Sequence, residues 1–124
     1  MAFLNDQTVQ LLADAIKGND RAQQNLQRTG RPELLHVLDA IAFDDDSSAE
    51  WLHENGFDEW GLFLTAIGGD PYAVQALFDG KQARLAMAAG AIIGEERSME
   101  YLKKNNLKAW LNFVAAIQQT MAEE

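Results

Sequence analysis

Both histidines of the chain stand in Glu-x-x-His triplets, Glu33-x-x-His36 and Glu50-x-x-His53. A three-residue spacing on a helix puts both side chains of a triplet on one face. If residues 32–42 and 48–55 form the antiparallel helices of a hairpin, the two histidines fall at similar heights. Such a donor set suits zinc, or half of a carboxylate-bridged di-iron site. Two observations oppose it. Leu34, Leu35, Leu38 and Ile41 claim the inward face of the first helix, which turns Glu33 and His36 outward. Fifty residues on, Glu33, His36 and His53 are replaced by Ala83, Ala86 and Lys103, so no second half-site exists. Metal binding through Glu33, His36, Glu50 and His53 is therefore the alternative reading, and no cofactor is expected.

Catalysis has less support. Acid–base chemistry needs a pair of groups tuned apart within a cleft, and abundance of carboxylates does not supply placement. No Ser or Thr lies in a nucleophile-elbow pattern, no phosphate-binding glycine loop occurs, and Gly68-Gly69 reads as a turn between helices. With no cysteine in the chain, thiolate nucleophiles, disulfides and cysteine metal sites are ruled out. A non-enzymatic role is expected.

The elements carrying these residues come from a repeat. SAEWLHENGFDEWGLFLTAI at 48–67 returns as SMEYLKKNNLKAWLNFVAAI at 98–117, with Ser48/Ser98, Glu50/Glu100, Leu52/Leu102, Asn55/Asn105, Trp60/Trp110, Phe63/Phe113, Ala66/Ala116 and Ile67/Ile117 identical. Apolar residues recur at three- and four-residue spacings, and no segment alternates with period two, so the chain reads as all-α. Asp70-Pro71 marks a helix start, Ser47-x-x-Glu50 reads as a capping box, and Gly30, Gly56, Gly80 and Asn106 sit where helix C-termini favour a left-handed residue. These marks predict about nine short helices in one domain spanning 1–124, stacked as antiparallel hairpins in a compact, slightly curved, solenoid-like array with units near 6–30, 31–56, 57–80, 81–106 and 107–122. One such hairpin cannot bury its own apolar face, and stacking builds the shared core. Trp60/Trp110, Phe63/Phe113 and Ile67/Ile117 are assigned to that core.

TAIGGDPYAVQALF at 65–78, through Ala66, Gly69, Asp70, Ala73, Val74 and Leu77, resembles the helix-turn-helix of an ankyrin repeat. DAIKGNDRAQQNLQ at 14–27 is similar through Ala15, Gly18, Ala22 and Leu26. The units here are near 25 residues, without the T-P-L-H opening or the projecting β-turn. The resemblance implies stacked hairpins and, by analogy, protein binding.

Charge narrows the partner. The 124 residues carry a net charge of -9, which argues against direct binding to nucleic-acid phosphates. No Lys or Arg lies between Arg31 and Lys81, an interval with eleven carboxylates. His53, Glu54 and Asp58 of the first copy become Lys103, Lys104 and Lys108 in the second. Shared positions build the scaffold, and differing ones set the surface. An acidic surface steers a basic protein towards it. The contacts expected are Asp44, Asp45, Asp46, Glu50, Glu54, Asp58 and Glu59, with Trp51 as an apolar anchor or else part of the core. The expected role is an adaptor, assembly factor or small inhibitor, and a nucleic-acid-binding protein is one class of basic partner. Homo-oligomers formed through Lys103, Lys104 and Lys108 are a further outlet. The competing reading for Asp44 to Asp46 is service to a helix N-terminus. No apolar run approaches the ~20 residues of a membrane span, no leader is evident, and a cytoplasmic setting is expected.

Overall fold

The computed structural model describes residues 4–123. Among them run nine helices and no strand: α1 (Asp6–Ile16), α2 (Asp20–Arg28), α3 (Pro32–Ala42), α4 (Asp46–Glu54), α5 (Asp58–Ile67), α6 (Pro71–Asp79), α7 (Ala83–Ile92), α8 (Glu96–Lys104) and α9 (Lys108–Ala122). The all-helical hairpin organisation expected from the repeat is present.

Each of the first eight helices stops where one residue turns left-handed. These residues are 18, 30, 44, 56, 69, 81, 94 and 106, one in every interhelix turn. At the third of the expected C-terminal stops the structure corrects the sequence reading. Gly80 keeps φ -82, and its neighbour Lys81 takes φ 64, although glycine would adopt that conformation with less strain. Four of the nine starts are set by side chains. Asn5, Asn19, Asp45 and Asp70 accept hydrogen bonds from the backbone N–H of Thr8, Ala22, Ser47 and Tyr72, supplying partners for donors that a helix start leaves bare. The expected capping box at Ser47 is thus displaced: α4 begins two residues earlier, with Asp45 as its cap. An aspartate can take that role as well as serine, and Asp45 comes first along the chain.

The odd-numbered helices form the inner layer. α1 touches α3, α3 touches α5, α5 touches α7, α7 touches α9, and α9 lies against α1 in the most extensive contact of the molecule. The array therefore closes on itself, a feature the sequence had not disclosed. Each even helix lies over one seam of this ring: α2 on α1 and α3, α4 on α3 and α5, α6 on α5 and α7, α8 on α7 and α9. Among the described residues no helix covers the α9–α1 seam in this way, and there Asn112 Nδ2 donates to Gln10 Oε1 at 2.8 Å.

All inner helices point the same way. Arg84 at the start of α7 lies 3.9 Å from Asp6 at the start of α1, while Ile41, Ile67 and Met121, near the ends of α3, α5 and α9, meet at one depression. The turns accordingly fall on two rims. One carries residues 17–19, 43–45, 68–70 and 93–95, the other 29–31, 55–57, 80–82 and 105–107.

The repeated aromatics are core, as expected. Trp60, Trp110, Phe63 and Phe113 are at most 2% exposed. Trp60 meets Phe63 edge to face, Trp110 meets Phe113 in the same way, and the two phenylalanines stack at 5.6 Å. The copies of the repeat join through equivalent rings. Burying a Phe is worth about 1.5–3 kcal/mol, and paired rings add about 0.5–1.5 kcal/mol. α7, with Ala86, Ala88, Ala89, Gly90 and Ala91 all buried, is slim enough to touch four other helices.

Candidate recognition groove

The two Glu-x-x-His triplets do not converge. Glu33, expected to face outward, is only 5% exposed and accepts a hydrogen bond from Arg31 Nε at 2.9 Å. Its position in the first turn, beside Leu34, carries it under the hairpin end. His36 turns towards α4, where Nδ1 lies 3.1 Å from Ser48 Oγ and the ring stacks on Trp51 at 4.1 Å. His53, though on the adjoining helix, points towards α5 and lies 3.8 Å from Asp58, with both side chains largely exposed. Among the described residues, no group of three or more His, Asp or Glu is arranged to hold a metal.

Ser48 is buried between His36 and the α4 cap, and its hydroxyl donates weakly to Asp45 Oδ2 at 3.4 Å. Asp45 also accepts from Ser47 Oγ at 2.6 Å. That hydroxyl bond, more than the backbone donors, holds the Asp45 carboxyl below its ordinary range despite some desolvation. Asp39 is shifted the other way: burial raises its pKa, the Asp45 charge adds to the rise, and His36 offsets part of it.

Trp51, the expected anchor, is half-buried and stacks on Phe57 at 5.8 Å as well as on His36. Its rings serve the joint between α3, α4 and the start of α5. The large apolar side chain left uncovered nearby is Phe43, 64% exposed, which sequence reasoning missed. The available signal was its place directly before three aspartates.

The expected acidic contacts divide by location. Asp44 is the left-handed turn residue (φ 51), Asp45 is the cap, and Asp46 opens α4. Beside them lies a depression floored by Ala40, Ile41, Ala49, Leu64 and Ile67 and edged by Gly68 and Met121. A second shallow depression shares Ala49 and Leu64 and extends along Gly61, Leu62 and Thr65 to His53 and Asp58. The two make one groove between α4 and α5, apolar along its floor, with three aspartates at one end and the His53–Asp58 pair at the other. Glu50 and Glu54 are exposed on the outer side of α4, and Glu59 is half-buried in the first turn of α5.

The groove offers dispersion along its floor and ion pairing at its ends. No helix among the described residues is long and apolar enough to cross a membrane. Comparison with known proteins finds no matching family, no matching curated protein and no matching solved structure.

Proposed function

We propose that this chain is a protein-recognition module that presents the α4–α5 groove and its acidic ends to a partner with a basic, partly apolar surface. The observation that carries the proposal is the groove itself, with Asp44, Asp45 and Asp46 at one end and Asp58 at the other of an apolar floor. An interface needs desolvated apolar contact for affinity, while charge supplies approach and orientation. Glu50 and Glu54 on the neighbouring face extend the field, and Phe43 offers an aromatic contact at its edge. Nucleic-acid-binding proteins belong to the partner class, because their Lys and Arg clusters are built for phosphate oxygens.

The test is zero-length carboxylate-to-lysine cross-linking of captured complexes, run at low and moderate ionic strength beside an Asp44→Ser/Asp46→Ser variant. Cross-links from Asp44, Asp46 or Asp58 to a basic partner, weakened by salt and lost in the variant, are expected. Cross-links confined to other surfaces would overturn the proposal. Links to Lys103, Lys104 or Lys108 of a second copy would replace the foreign partner with self-association.

A further inference from the structure

The two halves of the repeat differ at one place where a side chain has become absent. In the second half, Gln118 of α9 reaches the end of α7, where its Nε2 donates to the carbonyls of Ala91 and Ile92 at 3.2 and 3.4 Å. Fifty residues earlier, the counterparts of Ala91 and Ile92 are Ile41 and Ala42 at the end of α3, and the counterpart of Gln118 is Gly68. Gly68 has no side chain to repeat the reach, and the depression beside Ile41 opens at that point. α3 and α5 also touch far less extensively than α7 and α9.

A helix C-terminus leaves carbonyl oxygens in need of donors and carries partial negative charge. The second half meets that need internally, with an amide. In the first half the same helix end is set beside Asp44 and Asp46, where the second half has Gly94 and Glu96. Approach to it runs over Ala40, Ala49 and Leu64. The site thus asks for a group with several N–H donors and positive charge, on a stem that tolerates apolar contact.

We infer that the groove receives an arginine or lysine side chain of a partner protein, its aliphatic stem on Ala49, Leu64 and Met121 and its cationic head between Asp44, Asp46 and the α3 C-terminus, in the place that Gln118 fills in the other half. This rests on the recognition reading above and specifies what enters the groove. Arginine suits it better than lysine, since a guanidinium offers five donors in a plane and is less strongly hydrated.

The experiment is a titration of the 15N-labelled protein with butylguanidinium, butylammonium and butanol, followed by amide chemical shifts. Shifts confined to residues 40–49 and 64–69, largest with butylguanidinium and smallest with butanol, are expected. Gly68→Gln, which restores the second half's side chain without changing net charge, should reduce them at least tenfold. The backbone there is right-handed (φ -74), and the added Cβ would lie 3.3 Å from the Thr65 carbonyl oxygen, so glutamine enters with a shift of a few tenths of an ångström. Ala49→Leu fills the same groove from α4 and should act alike, which guards against a fold defect in the first variant. Dispersed shifts, or equal shifts with butanol, would overturn the inference. Shifts that persist in both variants would overturn it while leaving the acidic-surface reading intact, and loss of salt-sensitive partner cross-links would remove that reading separately.

Discussion

Asp45 and Asp39 show how neighbouring carboxylates acquire opposite effects. Asp45 is held below its usual value by the Ser47 hydroxyl. Its stabilising contribution is therefore complete above the unfolded value of 3.8 and is lost as pH falls through the lower, folded one. Asp39 is raised by burial, so its charge costs stability at neutral pH, and the cost disappears as pH falls through its raised value towards 3.8. Asp45→Ala should lower the melting temperature at neutral pH, with a difference that shrinks in strong acid. Asp39→Asn should raise it, with a difference that vanishes once the wild-type carboxyl is protonated. Melts recorded from pH 2 to pH 7 read both effects, and parallel curves for wild type and Asp39→Asn would refute the second. Gly90 supplies a steric case. A Cβ there would fall on Ser98 Oγ, so Gly90→Ala should cost about 1–3 kcal/mol. Adding Ser98→Ala should recover part of that loss in chemical denaturation, since the Ser98 Cβ and the Glu95 carboxylate still lie 3.0 Å from the new methyl. The Asp45 cap is a local effect that the sequence allowed for as service to a helix N-terminus, whereas the Asp39 and Gly90 effects were not legible, because they depend on burial and on which residues two helices bring face to face.

At the scale of elements the sequence said much more. Periodicity gave the helices, Asp70-Pro71 marked a start, and the fifty-residue identities marked the core. Leu52 and Leu102 are fully buried, while Asn55 and Asn105 each donate Nδ2 to a carbonyl four residues back, at 2.8 Å. The errors fell where two residues close in sequence could serve one role. Asp45 took the cap ahead of Ser47, and Lys81 took the left-handed turn although Gly80 was available. The turn that joins α6 to α7 places its left-handed residue two positions beyond the last helical residue Asp79, and that position is occupied by lysine. Lys81→Gly should stabilise the protein by up to about 1 kcal/mol, because glycine relieves the Cβ clash at some cost in chain entropy. An unchanged or lowered unfolding midpoint would show that the lysine conformation is not strained. Glu33 and His36 were misplaced for a similar reason: the inward stripe of α3 is wider than its leucines alone suggested.

For the whole molecule, the contact of Phe63 with Phe113 means that neither copy of the repeat completes its core without the other. Phe113→Ala should cost about 3–5 kcal/mol. It should also lower protection against hydrogen exchange in α5 as much as in α9, and loss confined to α9 would show the halves to be energetically separate. The fold spreads the acidic interval over both rims: the one that holds Asp44 to Asp46 adds Asp20, Asp70, Glu95 and Glu96 beside Lys17 and Arg97, and the opposite one sets Glu54, Asp58, Glu59 and Asp79 among Lys81, Arg84, Lys103, Lys104 and Lys108. Closure of α9 onto α1 has a different kind of consequence. An open stack can lengthen by copying one hairpin, since each unit meets only its neighbours. Here the last place is already taken by the first helix, so an extra unit would have to break the ring before it could join. The closing α9–α1 contact, the most extensive in the molecule, is what any such insertion would forfeit.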